Sequence, residues 1–356
     1  MTVFGIIFAI LVFSIVIALH ELGHFVAAKL SGVQVNEFAL FMGPAIFKKQ
    51  IGETLYSIRC IPIGGYCALE GEDEDTENPK SFQKAAWWKR LIVLVAGSFM
   101  NLITGFLLLM LVFSFSVNHL VPVIDAAEPA STVIQQQGLQ VGDRFVEIDG
   151  YRVYTASDAN MLLSFGGQTM DIVVERNGQE LRFDDYLMEK HEFLNEDTGE
   201  MELRYGFNFG IEEASAGNLI GYTWDNTRSI VQSVWLSLKM LVTGQAGLQD
   251  LTGPVGIVQM MSDTAAESDG IGTAMLNMCY FGGFIAINLG IMNMLPIPAL
   301  DGGRSLGLLL TTAIEKITKK KLNPKYEGYI HAAGMILLLI LMAVIMFKDI
   351  FVIFKG

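Results

Sequence analysis

The sequence predicts a polytopic α-helical membrane protein of about four transmembrane helices, with cytoplasmic β-hairpin elements and an inserted extracytoplasmic α+β domain. Three observations predict it. The 356 residues are 52% hydrophobic with a mean hydropathy of +0.43, more apolar than a soluble domain needs to be. Four apolar stretches recur: Val3 to Leu19, Leu91 to Val117, roughly Ala274 to Pro298, and Ala332 to Phe347 with apolar flanks to Phe354. With their flanks the shorter runs approach the ~20 helical residues that cross a bilayer core. Charge is partitioned as well: residues 119–228 hold 20 Asp/Glu against 7 Lys/Arg, which equals the net charge of the whole chain, −13. The remainder is balanced, and an acidic insert argues against nucleic acid as a partner.

The first run lacks a basic n-region and a small-residue cleavage site, so it reads as a retained helix, not a signal peptide. It leads into His20-Glu21-Leu22-Gly23-His24. On a helix, positions i and i+4 share one face, so both imidazoles can close on one metal ion. Glu21 beside them is placed to take a proton from water that the metal acidifies. Ionisable groups at the end of a membrane-length helix are costly in lipid, which favours a functional site over chance. Two histidines do not complete a catalytic zinc site, which takes three protein ligands.

Val33 to Leu69 contains β-prone segments with glycines and predicts short strands or hairpins at the mouth of the site, whose edge could pair with an extended peptide. Glu70 to Glu77, six acids in eight residues, reads as a solvated loop. Trp87-Trp88-Lys89-Arg90 is an interfacial anchor opening the second helix. Within that helix Gly97 permits close helix approach and Asn101 needs a partner in lipid, so this face is expected against the metal helix, with Asn101 structural or supporting the ligands. From Val121 to Phe183 the chain turns soluble and β-rich. Asp149-Gly150 and Asn177-Gly178 are hairpin turns, and Ser157 to Phe165 has helical spacing. Gly138-Leu139-Gln140-Val141-Gly142-Asp143 precedes the first of these turns, a pattern that resembles a PDZ domain of bacterial membrane proteases. The tail to Glu213 has no clear pattern. Ile230 to Met261 predicts a helix leaving this domain and a break at Gly253-Pro254.

The third run ends in Asn288 to Gly303, with Asn293, Pro296, Pro298 and Asp301. The prolines must break the helix, and irregular backbone at membrane depth is tolerated only where it is buried or lines a cavity. Asp301 then stands level with His20 and His24 as the expected third ligand; the alternative is a cap on the helix that follows. Eight Lys/Arg between Lys29 and Arg90 and six between Arg304 and Lys325 make both loops cytoplasmic and leave both termini and the acidic insert outside. Cys60, Cys67 and Cys279 give no disulfide framework.

The H-E-x-x-H motif, the Asn293-x-x-Pro296-x-Pro298-x-Leu300-Asp301-Gly302 block, Gly97-x-x-x-Asn101 and a PDZ insert between helices two and three resemble the site-2 protease family of intramembrane zinc metalloproteases, in its bacterial RseP-type group. RseP itself carries two tandem PDZ domains, whereas this insert has room for one. The resemblance implies residues 1–118 as an N-terminal membrane half, 119–228 as the PDZ-like domain and 229–356 as a C-terminal membrane half. It implies one zinc ion on His20, His24 and Asp301, Glu21 as catalytic base, and Asn288 and Asn293 in contact with substrate. The implied activity is cleavage within transmembrane segments of single-pass proteins already trimmed by a first protease, such as anti-sigma factors or remnant signal peptides, in a bacterial cell membrane. Two rivals stand beside it: another H-E-x-x-H membrane protease class with a glutamate ligand, and a non-catalytic membrane-anchored PDZ scaffold.

Overall fold

The computed structural model describes residues 3–72, 76–128, 131, 133–134, 138–194, 201–247, 252–319 and 324–355. By its internal contacts the chain divides into two units, Met1–Val112 with Val234–Gly356, and Phe113–Ser233.

The first unit opens with α1 (Val3–Ser31). It stops at Gly32, whose φ of 79° suits a residue without Cβ. There the Val33 N–H reaches the Ala28 carbonyl at 2.9 Å and the Gly32 N–H reaches Lys29 at 3.2 Å, the paired bonds of a Schellman end. Strands β1 (Val35–Ile51) and β2 (Thr54–Leu69) form one antiparallel hairpin. The short strands expected here are joined because Phe41, Gly43 and Gly64, all at positive φ, absorb the register shifts as irregularities within the strands. Arg59 braces the bend, donating to the Gly43 carbonyl at 2.7 Å and to Glu37 at 2.9 Å. Burial opposes the charge on Glu37, but donors on Ser57, Tyr66 and Arg59 hold its carboxyl below the usual range. The acidic stretch that follows is tied at its start, Glu70 accepting from Asn36 at 2.7 Å and Glu72 pairing with Arg304; residues 73–75 of that stretch lie outside the described residues. Helix α2 (Trp87–Phe113) then runs without interruption.

The second unit carries strands β3 (Asn118–Ala127), β4 (Arg144–Ile148) and β5 (Tyr151–Arg152), helix α3 (Ala156–Phe165), and strands β6 (Thr169–Arg176), β7 (Gln179–Leu187), β8 (His191–Leu194), β9 (Met201–Arg204) and β10 (Phe207–Glu213). Its sheet has the order β10-β3-β4-β6-β7, with β5 on β4 and all pairs antiparallel. The Asp149-Gly150 and Asn177-Gly178 turns both have positive φ at each residue, as tight hairpins require. Thr155 and Asp158 close a capping box on α3. The patternless tail yields the β8–β9 hairpin and the edge strand β10, whose side chains are mostly exposed or half-buried and so show no strong alternation. Where α4 (Leu219–Thr243) begins, Tyr222 stacks on buried His119 with centroids 3.9 Å apart.

The chain returns to the first unit through α5 (Pro254–Ala266), α6 (Ile271–Asn293), α7 (Asp301–Thr318) and α8 (Pro324–Lys355). Among the described residues four helices are long and apolar enough to cross a membrane: Gly5–Ser31, Trp87–Phe113, Ile271–Asn293 and Gly328–Phe351. Among the described residues, two apolar clusters hold this unit. One joins α1, the hairpin, α2 and Leu308 of α7; the other joins Ala9 and Val16 of α1 to Met261, Met278 and Ile285.

Candidate active site

His20 and His24 lie one turn apart on α1, with ring planes at 84°. Their Nε2 atoms are 3.2 Å from each other, and Asp301 Oδ2 lies 3.1 Å from the first and 3.3 Å from the second. Oδ2 is buried and receives no hydrogen bond among the described residues, so a carboxylate and two imidazoles converge on one point without satisfying one another. A tetrahedral ion with bonds of about 2.0–2.1 Å separates its ligands by about 3.3–3.4 Å. The three atoms fit such an ion.

Asp301 is delivered by sterics. Pro296 and Pro298 follow the end of α6, and the loop folds on itself through Ile297 N–H to Leu295 O at 2.7 Å and Leu300 N–H to Ile297 O at 3.1 Å. The first turn of α7 presses on that loop: a Cβ at Gly302 would overlap the Met294 and Leu295 carbonyls, and one at Gly303 would overlap Ile297. Leu300, not Asp301, occupies the cap position, and no side chain caps the helix. The Asp301 carboxylate faces the histidines instead, at a helix N-terminus that itself favours negative charge.

The remaining ring nitrogens fix the histidines. His24 Nδ1 is 2.8 Å from the Val93 carbonyl, so it carries the proton and donates. His20 Nδ1 is 3.2 Å from the side-chain amide of fully buried Asn101, whose Oδ1 has no other partner among the described residues. Turning that oxygen to the ring lets Nδ1–H donate to it. Both Nε2 lone pairs then point to Asp301, the arrangement ligating histidines need. Gly97 brings α2 this close, since a Cβ there would overlap His24 Nε2.

Glu21 accepts a hydrogen bond from the Cys67 backbone N–H of β2, and a Cβ on Gly65 would sit 3.7 Å from its side chain. Sequence reasoning missed this support. The available signal was Gly64-Gly65 inside a strand, which marks a close approach. Asn293 Nδ2 comes within 3.3 Å of His20 Nε2. Asn288 is not brought to the trio; its amide donates to Phe284 O of its own helix at 2.8 Å.

Residues 8–341 match peptidase family M50. The chain belongs to that family. Its relatives include candidate zinc metalloproteases of Clostridium acetobutylicum, 34% identical over 98% of each chain, and of Clostridium perfringens, 33% identical over 97% of this chain and 98% of the other. RasP, the regulator of sigma-W protease of Bacillus subtilis, is 25% identical over 96% of this chain and 97% of its own. M50 is the site-2 protease family that the separated motifs resemble, so this M50 chain is a metalloprotease and an integral membrane protein. Membership removes the rival in which another H-E-x-x-H membrane protease class supplies a glutamate ligand.

Proposed function

We propose that this M50 protein holds one zinc ion on His20, His24 and Asp301 and hydrolyses peptide bonds within the transmembrane segments of single-pass membrane proteins already shortened by a first protease. The observation that carries the reading is the convergence of three candidate ligand atoms within 3.3 Å of one another, two of them on a membrane-length helix that runs on to Ser31, with Glu21 alongside. When bound, zinc lowers the pKa of water to about 7 and polarises the scissile carbonyl.

The chain's own groups do the rest. Glu21, steadied by the Cys67 N–H, takes the proton of the attacking water and passes it to the amine nitrogen as the C–N bond breaks. Val93 and Asn101 hold the two rings in the tautomer that leaves Nε2 unprotonated. A helical substrate must unwind before attack, and each freed backbone group would cost several kcal/mol in lipid. The amides of Asn293 and Asn288 and the edge of the β1–β2 hairpin supply partners for those groups. Anti-sigma factors and remnant signal peptides are the substrates that the family resemblance implies, and the Bacillus subtilis relative, a regulator of sigma-W protease, supports the first of these.

The basic loops put the site near the cytoplasmic face of a bacterial cell membrane and the acidic second unit outside. That unit reads as a single PDZ-like domain: its Gly138 to Asp143 loop, its antiparallel sheet with an open β10 edge, and α3 support the reading. A non-catalytic scaffold has no use for Glu21 beside three converging ligands.

The experiment co-expresses the chain with a tagged single-pass substrate lacking its external domain and sizes the fragments. The parent is expected to cut within the spanning segment, and Glu21→Gln to bind zinc while losing a factor of at least 10²–10⁴ in rate, the usual worth of a general base. Cleavage by Glu21→Gln at the parent rate would overturn the base assignment. An inert parent that carries zinc, tested on several such substrates, would favour the scaffold.

A further inference from the structure

Helix α8 contains no residue of the H-E-x-x-H or Asp-Gly-Gly motifs, and almost none of its most apolar window is buried inside the protein. Polar contacts among the described residues nevertheless hold it, two of them to other helices or loops by way of a backbone N–H. Near its C-terminal end, buried Asp349 accepts the Gly256 N–H at 3.0 Å, at the start of α5. About two turns into the helix, His331 Nδ1 accepts the Ala299 N–H at 3.1 Å. Because a backbone amide can only donate, that nitrogen is unprotonated and offers its lone pair.

Ala299 is an unusual place for such a contact. Its φ is 80°, a left-handed conformation that a residue with a Cβ sustains only where its surroundings over-determine it. It lies two residues before Asp301, at the point where the Pro296 to Pro298 loop turns into α7. Gly334, on the same face of α8 as His331, is buried against Pro298; a Cβ there would overlap the proline ring and stand 2.6 Å from its carbonyl oxygen. A nitrogen acceptor and a gap for the proline ring are thus presented together to the two residues that set the direction of the Asp301 segment.

We propose that His331 is a positioning residue for the M50 reaction: by accepting the Ala299 N–H, with Gly334 seated on Pro298, it fixes the turn that aims Asp301 at His20 and His24. This rests on the reading of Asp301 as a zinc ligand.

The test uses the full chain purified in detergent and reads zinc affinity by chelator competition, together with the visible spectrum of the Co²⁺-substituted protein. His331→Leu is expected to weaken zinc binding ~10–100-fold, the usual loss when a group supporting a ligand is removed, and to alter the cobalt spectrum. His331→Asn, whose side-chain oxygen stands about where Nδ1 does, is expected to restore both. Parent-like affinity and spectrum in His331→Leu overturn the proposal, and so does an Asn variant as damaged as the Leu variant, since a merely space-filling ring predicts no rescue. Gly334→Ala decides the matter if His331→Leu cannot be purified: it keeps the imidazole but lifts α8 from Pro298, and zinc binding that stays at the parent level overturns the proposal. Asp301→Ala, run alongside, separates this inference from the reading beneath it. Zinc retained in Asp301→Ala overturns the ligand assignment and the positioning with it; zinc lost there but kept in His331→Leu overturns the positioning alone.

Discussion

Gly97 shows how much of the site rests on an absent side chain. The helix carrying it would be better formed with alanine at that position, yet a Cβ would overlap His24 Nε2 and come within 2.7 Å of His20 Cε1. Gly97→Ala is therefore expected to keep its helicity and lose most of its zinc. Circular dichroism beside metal analysis of the purified protein checks this, and parent zinc content in the variant would refute the close approach. That His20, His24 and Asp301 come together was legible in the sequence because metal chemistry restricts the residue types and, for the two histidines, the i, i+4 spacing on one helix. The supports of those residues were legible unevenly. Asn101 stands out in an apolar helix as a polar group needing a partner, whereas Cys67 acts through its backbone and His331 through a nitrogen that bonds a loop 32 residues away. Backbone groups carry no residue-type signature, and a lone histidine announces nothing about the atom it meets.

Individual elements carry their own stakes. In the second unit Asp143 is fully buried and held by Arg176 through two contacts of 2.6 and 2.7 Å, while the same guanidinium donates to Gly138 O at 2.7 Å. This one side chain ties β6 to the glycine-rich loop ahead of β4. Arg176→Ala leaves a buried carboxylate unpaired, which costs about 3–5 kcal/mol; the full-chain variant is expected to be cut by a soluble protease within residues 113–233 under conditions that leave the parent intact. Equal resistance would show the pair to be dispensable. His119, on β3, is buried beneath Tyr222 and Phe113 and faces Glu212 across the ladder from β10. Burial holds its imidazole below the ordinary histidine range despite that carboxylate. An unfolded chain therefore takes up the proton first, so stability is full above about pH 6.5 and falls as the solution is acidified through the lowered value. The same proteolysis assay, run from pH 7.5 downward, is expected to show growing susceptibility, and His119→Phe to flatten that trend. The Asp-Gly and Asn-Gly turns of this unit were legible because positive φ selects those residues. Strand β10 was not, because an edge strand with much of its surface exposed shows weak alternation.

At the scale of the whole molecule, charge decides orientation. The proposed orientation has the basic loops in the cytoplasm and the acidic unit outside, so in a chain with Cys60, Cys67 and Cys279 replaced, Asp184→Cys is expected to react with an impermeant thiol reagent in intact cells and Lys48→Cys only after lysis. Both positions are exposed; the reverse pattern would invert the topology. The sequence by itself determined the number of membrane-length helices, the acidic insert, the H-E-x-x-H and Asp-Gly-Gly motifs and hence the family, because hydropathy, net charge and ligand spacing are properties of residues close together in the chain. Only the tertiary structure decided that two runs of short strands form one long hairpin beside Glu21, that the α2 face expected against the metal helix orients the histidines through the Val93 carbonyl and the Asn101 amide, and that α8 reaches the turn before Asp301. Those contacts join residues 32 to 81 positions apart, as Asp301 and His20 are joined across 281, and they are set by backbone geometry and by which small residues allow two surfaces to meet. No periodicity or composition along the chain records such meetings, because their physical cause lies in the shape of the surfaces that fold together.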